Sequence, residues 1–329
     1  MTPFHGRKTW VLIAAAAVCA APLLLQNDYL LQVFFRIALF AALGLAWNLV
    51  GGYAGQLSLG HVAFFGLGAY GMAILAAHSV PAWIAVVLAA AIAGVFAALI
   101  GRIVFRLRGP YFTLATIAFA EVLRLTATNL GFTGGAIGLT TPPLFPRDHF
   151  WKWFYLSAVT LGIICFLINY GTSRSRPGYY LMAIREDEET AGSVGIDTAS
   201  YKLRALIISA FLTALGGALY ASAFQFIVPD SILNLDISVQ IAIITMLGGA
   251  GTLLGPVIGA ILLLGASEIF KNQFQESHLL IYGVLIVLVV LFLPEGIVGS
   301  LQQRLRGRVR PPAISSGPNA PAEATSSPN

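Results

Sequence analysis

Long apolar blocks separated by short polar breaks run through most of the chain. They fall at 10–26, 32–50, 56–77, 82–104, 111–130, 152–170, 203–226, 237–249, 254–270 and 279–299. A helix crosses the hydrocarbon core of a bilayer with about 20 apolar residues, and most of these blocks reach that length. Residues 82–101 and 278–293 contain no Lys, Arg, Asp or Glu. Each block therefore predicts a spanning helix, because a helix satisfies its own backbone hydrogen bonds where no water is present. The stretch 237–264 is ambiguous. Gly248-Gly249-Ala250-Gly251 and Gly255-Pro256 interrupt it, so it reads either as one long span or as two pieces meeting at a bend.

Charge chooses between them. Lys and Arg concentrate at Arg7-Lys8, at Arg102, Arg106 and Arg108, in the 171–204 loop, and at Arg304, Arg306, Arg308 and Arg310. Loops with excess Lys and Arg stay on the cytoplasmic side. An odd number of crossings after 204 would carry the Arg-rich C-terminal region outside, and splitting 237–264 brings it back in. The predicted architecture is an all-α polytopic membrane bundle of about ten segments with Gly-broken helices and both termini cytoplasmic. Residues 1–31 form a cytoplasmic end and first span. Residues 32–300 form the transmembrane domain, with a cytoplasmic loop at 171–204. Residues 301–329 are basic, then rich in Pro, Ser, Ala, Gly and Asn, with too little apolar bulk to offset the entropy of ordering. His5, Arg7 and Lys8 ahead of the apolar run from Trp10 to Leu25 also resemble a secretory signal, with Ala20-Ala21-Pro22 as its cleavage region. An uncleaved first span explains the same residues.

Composition agrees. Of 329 residues, 57% are hydrophobic and 10% charged, and the mean hydropathy is +0.82. Soluble domains carry roughly 25% charged residues. The net charge of +5 fits basic cytoplasmic loops rather than nucleic acid, since no long basic stretch is interleaved with aromatics. Cys19 and Cys165 sit inside apolar runs and read as small buried hydrophobes, not as a disulfide or metal site.

Two glycine clusters interrupt the apolar sequence. The first holds Gly51, Gly52 and Gly55, followed by Gln56, Ser58 and His61; the second holds Gly248, Gly249 and Gly251. Small residues let membrane helices approach closely, and packing alone accounts for most such glycines. Broken helices are also tolerated where they line a cavity, so the same residues are candidates for a translocation path. Among the polar residues within the spans are Asn48, Gln56, His61, Glu121, Arg124, Asn129, Gln225 and Gln240. Glu121 and Arg124, three apart, can pair on one helix face. The first expectation is a buried structural pair tying two helices, ahead of a substrate contact. No second metal ligand accompanies His61, so it reads as a packed, hydrogen-bonded side chain. No phosphate loop, H-E-x-x-H or G-x-S-x-G occurs. The chain predicts no enzyme and no cofactor of its own.

The 171–204 loop reads GTSRSRPGYYLMAIREDEETAGSVGIDTASYKLR. Acids near a helix start favour its dipole. Arg185 and the acids from Glu186 to Glu189, followed by small residues, suit either a solvated helix or one that docks a cytoplasmic partner. WNLVGGYAGQLSLGHVAFFGLGA from Trp47, GPYFTLATIAFAEVLRLTATNLGFTGGAIGL from Gly109, AIREDEETAGSVGID from Ala183, MLGGAGTLLGPVIG from Met246 and LPEGIVG from Leu293 together make a specific pattern. It resembles the LivM-type permeases of branched-chain amino acid ABC importers over nearly all of residues 30–300. The resemblance implies a location in the cell inner membrane. It implies a second permease subunit, two cytoplasmic ATPase subunits and an extracytoplasmic binding protein. It also implies a coupling motif E-A-A-x-x-x-G. Glu189, Ala191 and Gly195 match that motif, Thr190 departs from it, and the more distant I-x-L-P part is absent. The same machine could carry urea, amides or aromatic acids. An ion-coupled secondary transporter would need intramembrane ionisable residues beyond Glu121 and Arg124.

Overall fold

A computed structural model describes residues 27–273 and 296–300, with Pro22 and Gly283 as isolated positions. The predicted spans 10–26 and 279–299, apart from those few positions, and the 301–329 tail lie outside the described residues.

Asn27 opens helix α1, Asp28–Trp47, by accepting the Tyr29 and Leu30 N–H groups. The helix loosens into a π-helical turn, Asn48–Tyr53. Residues 54–60 are not helical, so the span expected from 56 begins only at His61, as α2, His61–Ala77. Pro81 precedes α3, Ala82–Val104, and Pro110 occupies the first turn of α4, Pro110–Asn129, where its missing N–H costs nothing. Two 3₁₀ turns and strand β1, Leu139–Thr140, lead to α5, Phe150–Ser173. The expected 171–204 loop is mostly helical. It holds α6, Arg176–Glu186, and α7, Glu188–Ser193, before α8 begins at Thr198 and runs to Phe224. Strand β2, Phe226–Ile227, pairs antiparallel with β1, setting Leu139 opposite Ile227. Short α9, Pro229–Ile232, then leads to α10, Leu235–Gly248. The interruption expected in 237–264 is present, and α11 runs Gly255–Gln273.

Helix α8 is the hub, packed on α2, α3, α1 and α5. Its small residues bring backbones into contact: a Cβ on Gly217 would lie 2.0 Å from the Phe65 carbonyl oxygen, and one on Gly68 2.0 Å from that of Ala214. That contact does in lipid what large apolar side chains do in water. Helix α4 is peripheral and buries only Phe112, Thr116, Ala120 and Ala127.

Among the described residues, five helices are long and apolar enough to cross a membrane: Asp28–Tyr53, Ala82–Val104, Phe150–Ser173, Thr198–Phe224 and Pro229–Gly248. Helix α2 is shorter but apolar. Helix α4, read from sequence as a span, is not among the five; it carries Glu121, Arg124 and several threonines. The described residues are overwhelmingly helical, with one short strand pair, and the chain is a multi-pass membrane protein.

Candidate functional site

The two glycine-rich breaks, some 200 residues apart, meet at one end of the bundle. Asn48, fully buried, stands at the start of the π turn. Its Nδ2 donates to Asn169 Oδ1 at 3.1 Å and to the Thr252 carbonyl at 3.1 Å, and its Oδ1 accepts the Gly251 N–H at 2.8 Å. Asn169 of α5, also fully buried, donates to the carbonyls of Leu45 at 2.9 Å and Cys165 at 2.8 Å. A helix that widens into a π turn leaves carbonyls needing new donors, and a buried unsatisfied group costs about 1–3 kcal/mol. Asn169 supplies one such donor, to the Leu45 carbonyl, and Asn48 bolts the first break to the second.

A third chain segment enters the same junction. Arg185, near the end of α6, donates from Nη1 to the Gly52 carbonyl at 2.8 Å and to the Ala250 carbonyl at 3.3 Å. One guanidinium thus touches both breaks. Gly251 must be glycine here. Its φ is +81°, and a Cβ would lie 2.3 Å from Arg185 Nη1. The other expected residues sit around this point: Gly51 and Gly52 in the π turn, Gly55 and Gln56 just past it, Gly248 ending α10, and Gly249 in the link to α11.

Ser58 and His61 form an adjoining network. Ser209 of α8 donates to the Ala46 carbonyl at 2.6 Å, so its oxygen accepts from His61 Nε2 at 2.8 Å. The imidazole Nδ1 then accepts from Ser58 Oγ at 3.0 Å. Trp47 Nε1 donates to the Ser58 carbonyl at 2.7 Å. His61 is wholly buried and joins α1, the break and α8. No cluster of metal-ligating side chains occurs among the described residues.

Helix α7 projects beyond the junction. Asp187 caps it, accepting the Glu189 and Thr190 N–H groups at 2.9 Å each, and these bonds, chiefly that from Thr190, hold its carboxyl below the usual carboxylate range. Glu188 pairs with Lys202 of α8 at 2.5 Å; the Lys202 side chain is 1% exposed and lies 5.3 Å from the Phe105 ring centre. Glu189 pairs with Arg108, from the α3–α4 connection. Glu186 is exposed. Ala191 is buried inside the chain, so it does not present itself to a partner as its place in the motif suggested. Gly195 has φ +90° with nothing within 4 Å of a Cβ, so conformation rather than space selects it. The outward surface of α7 is Glu189, Thr190, Gly192, Ser193 and then Val194.

The Glu121–Arg124 pair forms, but not as expected. Arg124 meets Glu121 through Nε at 3.0 Å and Nη2 at 2.6 Å, and Nη1 reaches Asp230 of α9. The side chains of Glu121, Arg124 and Asp230 are 50%, 28% and 74% exposed. The expected buried pair is instead a three-membered cluster on the outer face of α4. It does tie two elements, because the third partner is Asp230.

Comparison with known proteins decides what kind of machine this is. The family described as the branched-chain amino acid transport system / permease component matches residues 29–290. The chain belongs to this permease family. The permease is 30% identical over 297 residues to the high-affinity branched-chain amino acid transport system permease protein LivM of Escherichia coli strain K12, covering 82% of this chain and 69% of that one. It is 24% identical over 286 residues to BraD of Pseudomonas aeruginosa, covering 79% and 91%, and 24% identical over 297 residues to LivH of Escherichia coli strain K12, covering 82% and 96%. Both these relatives are also named high-affinity branched-chain amino acid transport system permease proteins. No solved structure matches the permease.

Sequence reasoning missed Asn169, Lys202, Ser209 and Asp230 in this permease. Asn169 and Lys202 carried a signal, a polar side chain within or at the edge of an apolar run. Ser209 and Asp230 carried none, since serine is common in membrane helices and Asp230 sits in a turn.

Proposed function

We propose that this permease is one of two membrane subunits of an ABC importer that carries branched-chain, hydrophobic amino acids inward. Two cytoplasmic ATPase subunits supply the energy, and an extracytoplasmic binding protein delivers the substrate. The protein sits in the cell inner membrane, with the α6–α7 end and both termini cytoplasmic.

The observation that carries this reading is the Arg185 contact with both helix breaks. The sequence contains no phosphate loop, so energy must enter from another chain. Helix α7 offers an exposed, low-profile surface for that chain, and Val194 is 73% exposed beside it. Any shift of α6–α7 on docking must strain or move the Arg185 hydrogen bonds. Those bonds end on the backbone where α1 and α10 stop being helical. Packed helices shift between discrete arrangements rather than bending continuously, so a push at α7 becomes a rigid-body change of α1, α10 and α11. The break residues around Gly52 and Gly251 are where such a path would open and close.

The docking role is tested by Val194→Cys in the complete transporter. The new thiol is expected to crosslink to an ATPase subunit through a short bismaleimide, and to do so differently with and without ATP. Normal membrane insertion with no crosslink in either state would remove α7 as the docking surface.

A further inference from the structure

Helix α3 turns one face outward along its whole length. Ile84, Val87, Leu88, Val95, Leu99 and Ile103 fall at helical spacing on it, and each is at least 43% exposed. No Lys, Arg, Asp or Glu lies between Ala82 and Gly101. The mean hydropathy of this span, 2.7, is the highest of the five long apolar helices. Lipid tails are as apolar as leucine, so such a face rests against them at no cost. The outer face of α4, with Glu121 and Arg124, has the opposite character.

The apolar face ends on cations. Arg102 and Arg106 close it, both exposed, and Arg204 of α8 is exposed across the seam. The two helices touch closely at this level: a Cβ on Gly101 would lie 2.6 Å from Leu203 Cδ1 and 3.0 Å from Leu206 Cδ2. Arg102 and Arg204 each follow a residue of that contact, so they flank the same stretch of seam. Ile208, one turn beyond Arg204, is 44% exposed and continues the apolar surface onto α8.

These arginines differ from the other cations of this end. Arg108 has Glu189, Lys202 has Glu188, and Arg185 has two carbonyls. Among the described residues, Arg102, Arg106 and Arg204 enter no ion pair. Arg204 lies 5.5 Å from the Tyr201 ring centre. The Asp197 carboxylate feels its charge, but already accepts the Ser200 N–H at 3.1 Å. Like charges gathered at one seam repel each other, and a bound anion removes that cost. The guanidinium fork suits phosphate oxygens, which it takes two at a time.

We propose that the α3–α8 seam is a binding site for an anionic phospholipid. Arg102 and Arg204 hold the phosphodiester, and Arg106 adds to the field that attracts it. The acyl chains lie along the outward face of α3 and against Ile208. The order of parts matches the ligand, with cations at headgroup level and uninterrupted apolar surface below them. Basic pockets between membrane helices recognise anionic headgroups by this chemistry. The site goes beyond the transport reading and stands whatever the cargo. A lipid bridging α3 and α8 also braces the helix whose Lys202 grips Glu188.

The test uses the full-length permease, purified in detergent with the subunits that accompany it and stripped of lipid. It is titrated with phosphatidylglycerol or with phosphatidylcholine. Bound lipid is counted by native mass spectrometry, and the thermal unfolding midpoint is read alongside. Phosphatidylglycerol is expected to bind saturably and raise the midpoint, because a ligand held only by the folded state stabilises it; phosphatidylcholine should do neither. Arg102→Gln and Arg204→Gln should each weaken phosphatidylglycerol binding about fivefold, and the double variant about 25-fold. Arg102→Lys with Arg204→Lys keeps the charges and should retain most of the binding. Arg174→Gln removes a cation that lies over Tyr170 at the end of α5, and should change nothing. Should the double variant insert poorly, the single variants carry the same comparison. Wild-type lipid binding by the Gln variants overturns the site. Equal loss in Arg174→Gln overturns it too, by showing diffuse attraction to surface charge. Inorganic phosphate raising the midpoint as much as the lipid does would make the ligand a soluble anion, and the proposal fails.

Discussion

At the residue scale, single side chains bear loads that their sequence positions conceal. Gly52 and Ala250 read as parts of two glycine clusters, and both clusters were visible as helix breaks. That one guanidinium joins them was not visible. Arg185 lies 133 residues from Gly52 and 65 from Ala250, and no local pattern pairs groups so far apart. Gly195 shows what a motif can and cannot say. Its place in the coupling motif marked it, and the structure shows that its backbone conformation, not a close approach, calls for glycine. The two have different mutational signatures. With φ +90° and open space around it, Gly195→Asn should be tolerated far better than Gly195→Val, because asparagine visits positive φ and a β-branched residue does not. Gly195→Val is expected to cost about 1–2 kcal/mol locally, seen as faster amide exchange across 188–197 with the spans unaffected. Equal exchange for the two variants would mean that the turn does not hold this conformation.

At the element scale, helix existence was legible and helix ends were not. Apolar length located α1, α3, α5 and α8, because a spanning helix needs a long apolar run. The π turn after Trp47 was not legible, since its stability comes from Asn48 and Asn169 on separate helices. The 171–204 segment was expected as a loop holding a helix, either solvated or docking a partner, and it holds two helices clamped to their own chain. The clamp is the Glu188–Lys202 pair, whose lysine is buried and whose carboxylate is 23% exposed. Removing one member of a buried pair strands the other charge at a cost of about 3–5 kcal/mol, whereas replacing both with apolar groups can be nearly neutral. Glu188→Leu alone should therefore lower the folded yield in detergent sharply. Glu188→Leu with Lys202→Met should recover much of it. A double variant no better than the single would place the load on packing around Phe105 rather than on the charges.

At the scale of the whole molecule, the bundle has two chemically distinct ends. One carries the basic α3–α4 connection, α6, α7 and the junction of breaks, and it is cross-braced by Arg108–Glu189, Lys202–Glu188 and Arg185. The other carries the β1–β2 pair and α9 with Asp230. The positive-inside reading assigns the first end to the cytoplasm, where an ATPase could reach α7. The central claim is that α6–α7 passes the work of ATP hydrolysis to both helix breaks through Arg185. The most direct test compares wild type and Arg185→Ala in proteoliposomes containing the complete transporter, reading leucine uptake and ATP hydrolysis together. Arg185→Ala removes hydrogen bonds from a charged donor worth about 1.5–3 kcal/mol, so uptake should fall about tenfold or more. Membrane insertion and basal ATP hydrolysis should persist. Wild-type uptake by a normally inserted Arg185→Ala transporter would contradict the claim.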